Sequence, residues 1–216
     1  MNTDKFFKVN EIFFSIQGES MFTGKPTIFL RFTGCPFNCS YCDTAYAFTE
    51  GTKMSIDEIL NSIINYKTRY LCITGGEPLV QPHLHDLINI LLDENYIITI
   101  ETSGLVDISR LNKNISITMD IKTPSSNESK NNIFNNINHL KKNDAIKFVI
   151  ASDEDYIWSK KIIEKYSLIK ICSIYFSPSF NEYSIKTLAE NIINDQLEVT
   201  LQNQFHKQIW GDTRGK

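Results

Sequence analysis

Six short runs of β-branched, aromatic and other apolar residues, at 27–32, 70–74, 97–101, 115–121, 145–150 and 170–177, are mostly separated by intervals long enough for a helix. That alternation constrains the fold more than any other feature of the chain. Strands that are largely apolar need cover on both faces of their sheet, and parallel neighbours need a crossover of a dozen residues or more, which a helix provides. Within the first interval, Ser55-Ile56-Asp57-Glu58 has the form of a capping box, and Ile56, Ile59, Leu60, Ile63 and Tyr66 continue one apolar face at helical spacing. The same period predicts helices over 82–94, 130–141, 154–166 and 184–194, and a further extended stretch, 9–16, precedes the whole pattern. A doubly wound sheet and a full or partial βα barrel both satisfy this order of elements.

Composition narrows the function classes. Hydrophobic residues at 42% and charged residues at 22% fit a globular chain, and 216 residues are expected to form one domain, 1–216. The net charge is −3, the lysines are scattered and only four arginines occur, so no nucleic-acid surface is expected. No apolar run approaches the roughly 18 residues of a membrane span. Residues 1–9 lack the apolar core and cleavage site of an export signal. Five cysteines is an odd number, and three fall within eight positions, which suits metal-binding thiolates in a reducing cytoplasm better than a disulfide framework. Segment 127–143 holds seven asparagines and reads as a solvated loop and helix face.

In both candidate folds chemistry gathers at the carboxyl ends of the strands. Every chemically unusual segment here sits at such a place: the cysteines after Phe32, Gly75-Gly76-Glu77-Pro78 after Thr74, Thr102-Ser103-Gly104 after Glu101, and Lys122-Thr123-Pro124 after Ile121. Cys35, Cys39 and Cys42 form a C-x3-C-x2-C triplet that can converge on one inorganic centre. Zinc is the competing metal, but a closed structural zinc site takes four protein ligands, and no other Cys or His stands nearby in sequence. A 4Fe-4S cube on three cysteines leaves one iron open. Cys72 and Cys172 lie in strand-like runs and read as small buried hydrophobes, while the four histidines show no metal spacing.

The triplet, with Tyr41 before its last cysteine, resembles the hallmark of the radical S-adenosylmethionine (SAM) superfamily, and Gly75-Gly76-Glu77-Pro78 resembles that superfamily's second motif. A narrower resemblance runs almost end to end: Ser15-Ile16-Gln17-Gly18-Glu19, the segment from Phe29 to Cys35, Cys42-Asp43-Thr44, Glu101-Thr102-Ser103-Gly104, and the tail from His206 to Gly215 with Trp210-Gly211-Asp212. These are similar to the 7-carboxy-7-deazaguanine synthase family. The resemblance implies an α/β fold, a shortened or partial βα barrel with a mainly parallel sheet, and a homodimer. It also implies the family's lyase reaction, conversion of 6-carboxy-5,6,7,8-tetrahydropterin to 7-carboxy-7-deazaguanine with loss of ammonia, toward queuosine. A 4Fe-4S cluster, SAM, Mg2+ and a one-electron reductant such as flavodoxin come with it, and no nucleic-acid or membrane partner.

By the same resemblance, Cys35, Cys39 and Cys42 hold the cluster and Thr44 coordinates magnesium; Tyr41, Asp43, Gly76, Glu77, Ser103, Asp120 and Lys122 bind SAM. Where relatives often carry Ser-Pro-Lys, this chain has Asp120-Ile121-Lys122, so only Lys122 matches directly, and Phe176-Ser177-Pro178 matches a further SAM segment in part. Ile16, Gln17, Gly18, Glu19, Arg31 and Thr74 fall on substrate positions. Glu19 can accept from the amine edge of a pterin, and the planar fork of Arg31, in an apolar strand, suits a carboxylate, a reading favoured over a strand arginine that merely faces solvent. No side-chain nucleophile is implied. Two rivals remain: another small radical SAM enzyme acting on a protein, against which Gln17-Gly18-Glu19, Arg31 and the Trp210-Gly211 tail argue, and a non-catalytic electron carrier or zinc module, which would produce no 5′-deoxyadenosine.

Overall fold

The computed structural model describes residues 5–216. Of the stretch 1–9, residues 1–4 lie outside the described residues. The strands are β1 (Phe6–Ile16), β2 (Pro26–Phe32), β3 (Thr52–Ser55), β4 (Tyr70–Gly75), β5 (Ile97–Thr102), β6 (Ser116–Asp120), β7 (Ala145–Ile150), β8 (Ser173–Pro178) and β9 (Thr200–Leu201). The α-helices are α1 (Ile56–Ile63), α2 (Leu84–Asp93), α3 (Asp153–Tyr166), α4 (Ile185–Asn194) and α5 (Phe205–Trp210). One sheet has the order β3-β1-β2-β4-β5-β6-β7-β8-β9. Its pairs from β2 to β9 are all parallel, while β1 runs antiparallel to both β2 and β3. The two edge strands do not meet, which makes this a partial barrel. Among the described residues no helix is long and apolar enough to cross a membrane.

Local signals explain most of the elements. The Ser55 hydroxyl accepts from the Glu58 amide while the Glu58 carboxylate accepts from the Ser55 amide at 2.7 Å, so the capping box starts α1 as the sequence predicts. The Ser152 and Ser184 hydroxyls cap α3 and α4 by accepting from the Asp155 and Thr187 amides, without the reciprocal carboxylate. Ile28, Leu30, Ile73, Ile100, Ile146 and Phe148 are wholly buried and form the sheet's share of one apolar core, against Ile59, Leu87, Ile88 and Leu188 of the helices. The expected strand over 170–177 begins at Ser173, because Leu168–Lys170 makes one 3-10 turn first.

The helix expected over 130–141 does not form. Short 3-10 turns at Ser129–Asn131 and Phe134–His139 take its place. The reason is the asparagines, whose side chains satisfy backbone groups that a helix would otherwise have to pair. Asn132 Oδ1 accepts from Lys122 N at 2.9 Å, and its Nδ2 donates to the carbonyls of Lys122 and Ser129, both at 2.8 Å. Asn136, only 1% exposed, bonds Gly104 O, Val106 O and Ile108 N. This segment is therefore a hydrogen-bonded brace rather than a solvated tract.

Candidate active site

Inward-facing side chains at the carboxyl ends of the parallel strands surround a cavity of about 490 Å³, within the range typical of small-molecule sites. Arg31 comes from β2, Thr74 from β4, Glu101 from β5, Asp120 from β6 and Lys147 from β7. Register brings them together, since Arg31 pairs with Thr74, and Asp120 with Lys147.

The cysteine loop closes one end. After β2 the chain is held by Gly34 N to Ala47 O at 2.8 Å, Asn38 N to Glu128 Oε1 at 3.0 Å and Ser40 N to Ser126 O at 3.2 Å. The asparagine-rich brace thus anchors the loop that carries Cys35, Cys39 and Cys42, three free thiols that all line the cavity. Among the described residues no three His, Cys, Asp or Glu side chains are arranged to hold a single ion. A cube asks for something else: each thiolate takes its own iron, so the sulfurs surround a cage rather than a point. Burial pushes the Cys39 thiol up to about 11 and the Cys35 thiol in the same direction, so metal binding must displace their protons.

The turn after β4 lies directly against this loop. Gly76 N donates to Phe32 O at 3.2 Å and Glu77 N to Gly34 O at 2.9 Å. A Cβ on Gly76 would stand 2.8 Å from Cys35 Cβ and 2.7 Å from the Gly34 carbonyl carbon, so only glycine permits this approach. Gly75 and Gly76 line the cavity, but Glu77 does not. Its wholly buried carboxylate turns beneath the wall and accepts from Leu79 N at 3.0 Å, Thr102 Oγ1 at 2.9 Å, Ser103 N at 2.8 Å and Ser103 Oγ at 2.5 Å. Glu77 fixes the segment presenting Ser103 rather than reaching into the space itself.

Next to the cysteines, Tyr41 Oη shares a hydrogen bond of 3.2 Å with Thr123 Oγ1, and burial, followed by the charge of Asp120, pushes the phenol up to about 12. Lys122 Nζ donates to Asp120 Oδ2 at 2.9 Å, and although burial opposes its charge, Asp120 raises the ammonium above its usual range. Asp120 Oδ1 is buried without a partner among the described residues, so a bound molecule with a donor fits this wall. Thr44 Oγ1 stands 3.9 Å from Cys42 Sγ, and Asp43 accepts from Gln204 Nε2 at 3.1 Å.

Ile16, Gln17, Gly18 and Glu19 line the same cavity. Glu19 Oε2 accepts from Lys147 Nζ at 2.9 Å; burial opposes the Lys147 charge, but Glu19 first, then Asp120 and Glu101, drive its pKa above the ordinary lysine range. Thr74 Oγ1 donates to Glu101 Oε2 at 3.1 Å. Arg31 Nε donates to Glu11 Oε1 at 2.8 Å, and both side chains are about 15% exposed. The structure thus brings sixteen of the seventeen sequence-derived site residues to one cavity, Glu77 being the exception. Glu11, Lys147 and Gln204 are missing from the sequence reading, which quotes Glu101 and Lys207 only within longer segments and gives them no role. Lys147 carried the signal that singled out Arg31, a charge inside an otherwise apolar strand, whereas Glu11 shares β1 with Lys8 and Asn10.

Residues 29–149 match the Radical SAM superfamily. The whole chain aligns with the 7-carboxy-7-deazaguanine synthase of Chlorobaculum tepidum, at 39% identity over 220 residues and covering 100% of both chains. The chain belongs to the 7-carboxy-7-deazaguanine synthase family. The synthase of Clostridium acetobutylicum is 40% identical over 96% of this chain and 98% of its own. A crystal structure of QueE from Escherichia coli superposes with a TM-score of 0.77 and 25% identity, covering 93% of this chain and 95% of that one. Membership in the radical SAM superfamily implies a 4Fe-4S cluster and SAM. The free thiols, the close glycine turn and the orphaned Asp120 oxygen fit that pair.

Proposed function

We infer that this chain is a radical SAM lyase that converts 6-carboxy-5,6,7,8-tetrahydropterin into 7-carboxy-7-deazaguanine with release of ammonia, in queuosine biosynthesis. The observation that carries this is one cavity lined by three free thiols together with Arg31 and Glu19, in a chain that aligns end to end with synthases. When bound, the cluster and SAM supply one-electron chemistry at the cysteine end.

The chain's own residues bind and orient. Cys35, Cys39 and Cys42 hold the cluster; Gly76, Ser103, Tyr41, Asp43, Asp120 and Lys122 form the SAM wall. Glu77 acts on that wall from behind, through the Ser103 amide. The Arg31 guanidinium takes the substrate carboxylate, and Glu19, oriented by its hydrogen bond from Lys147, accepts from the amine edge of the pterin ring. Thr74 and Glu101, hydrogen-bonded to each other, present a hydroxyl and a carboxylate side by side to the ring. Thr44, whose hydroxyl stands 3.9 Å from Cys42 Sγ, would contribute an oxygen to Mg2+, a hard cation that takes oxygen ligands. Residues 1–216 work as one domain in a homodimer, in a reducing cytoplasm, with a small electron carrier such as flavodoxin as reductant.

The test is anaerobic reconstitution followed by incubation with SAM, a reductant, Mg2+ and the carboxytetrahydropterin, with mass analysis of the products. Formation of 7-carboxy-7-deazaguanine and one ammonia per turnover is expected. Cleavage of SAM to 5′-deoxyadenosine with an unaltered pterin would refute the substrate assignment, and no cleavage at all would refute the enzyme.

A further inference from the structure

Strand β1 contains one irregularity, and it lies beside the cavity. Val9 is opposite Phe32, yet Glu11 is opposite Arg31, so Asn10 is an extra residue in the ladder. In a regular antiparallel pair Asn10 would face Arg31 and Glu11 would face Leu30, on the other side of the sheet. A bulge is a device for re-aiming a side chain. Here it turns Glu11 onto the face of Arg31, and the next pair on that face, Phe13 against Phe29, stacks at 4.8 Å beside the guanidinium.

The consequence is a fixed orientation for the fork. Glu11 Oε1 accepts from Arg31 Nε at 2.8 Å and from Tyr46 Oη at 3.0 Å. Among the described residues Arg31 makes no other side-chain hydrogen bond, so its two terminal nitrogens stay available in the cavity. The second Glu11 oxygen is held from the carboxyl-terminal tail: Arg214 Nε donates to Oε2 at 3.3 Å. Arg214 is itself anchored by Glu50 Oε2 at 2.7 Å and by the bulged Asn10 Oδ1 at 3.0 Å, with its guanidinium 4.0 Å from the Tyr46 ring centroid.

We propose that Glu11 is a positioning residue that presents the terminal nitrogens of Arg31 to the substrate carboxylate, and that Arg214 of the tail completes this grip by holding the other oxygen of Glu11. The proposal rests on the reading of Arg31 as the carboxylate contact. An arginine has five donors on a flexible stem, and two-pronged recognition of a carboxylate needs one edge of the fork presented and held. Glu11 occupies the Nε side, which leaves the Nη edge for the ligand and screens the buried charge before substrate arrives. Tail closure and carboxylate recognition are thereby linked through one side chain.

The test measures binding of two ligands to the reconstituted enzyme with SAM present: the carboxytetrahydropterin, and the same tetrahydropterin with a neutral carboxamide in place of the carboxylate. With Mg2+ left out of the mixture, their affinity ratio reads the protein's grip on the carboxylate. In Arg31→Lys the ratio is expected to collapse. In Glu11→Gln it is expected to fall about 10-fold, the scale of one charge-assisted hydrogen bond, while affinity for the carboxamide stays within about 2-fold. Arg214→Ala, on the surface and not at risk of misfolding, should lower it by a smaller factor of about 3, as for a part-exposed ion pair. A collapsed ratio in Arg31→Lys with an unchanged ratio in Glu11→Gln would overturn the role of Glu11. Equal losses for both ligands in Glu11→Gln would overturn it too, by making the residue merely structural. An unchanged ratio in Arg31→Lys would instead overturn the assignment of Arg31 itself, and an unchanged ratio in Arg214→Ala the link to the tail.

Discussion

Replacing Glu77 by Gln separates two roles for the second motif. If the carboxylate faced SAM, the substitution would weaken SAM binding and leave folding untouched. The structure makes the opposite prediction. Oε1 accepts from the backbone N–H of Leu79 and Oε2 from that of Ser103, in a site with no exposure. Whichever way a glutamine amide is turned, its NH2 meets one of these fixed N–H groups, and that donor loses its acceptor. The hydroxyls of Thr102 and Ser103 can rotate, but the amides cannot. One charge-assisted bond lost and one buried donor left unpaired come to about 3 kcal/mol together. At roughly 2–4 °C per kcal/mol for a chain of this size, Tm should fall by about 6–12 °C. Thermal unfolding of the cluster-free protein, with no SAM present, measures this directly. SAM affinity should drop only as far as Ser103 moves. An unchanged Tm combined with abolished SAM binding would refute the reasoning.

Cys35→Ala, Cys39→Ala and Cys42→Ala should each lose the cube, read as iron and sulfide content near four per chain falling toward zero, whereas Cys72→Ala, at a wholly buried strand position, should keep the iron and lose only stability. Lys147→Met leaves Glu19 buried and uncompensated and should cost about 3 kcal/mol in chemical denaturation; adding Glu19→Gln should recover most of it, and absence of recovery would mean that the two side chains are not coupled. Thr44→Ala should lose magnesium stimulation of turnover while Thr44→Ser keeps it, and equal stimulation in wild type and Thr44→Ala would remove the hydroxyl from the metal site.

Strand and helix identities were legible wherever burial has a simple period. Both the apolar runs of β2, β4, β5 and β7 and the capping box of α1 are local, and the structure keeps them within a few residues. The segment 130–141 failed because its apolar positions fit a helix while its asparagines bond to backbone groups of other segments. No count of propensities over that window contains Gly104, Val106 or Lys122.

The sequence by itself determined the chemistry available: three thiols at a spacing that suits a cluster, a glycine pair that lets one turn lie against the cysteine loop, and charged side chains at the ends of apolar strands. Those are properties of short stretches and of residue type. Only the tertiary structure decided which charges answer which. Glu19 and Lys147 are 128 residues apart in sequence and 2.9 Å apart in space, and Glu11 faces Arg31 through a one-residue slip of register that no side-chain pattern announces. Electrostatic partners are chosen by where the sheet curves and the ladder slips, because a charge buried beside the cavity must pair with whatever group the fold brings within reach.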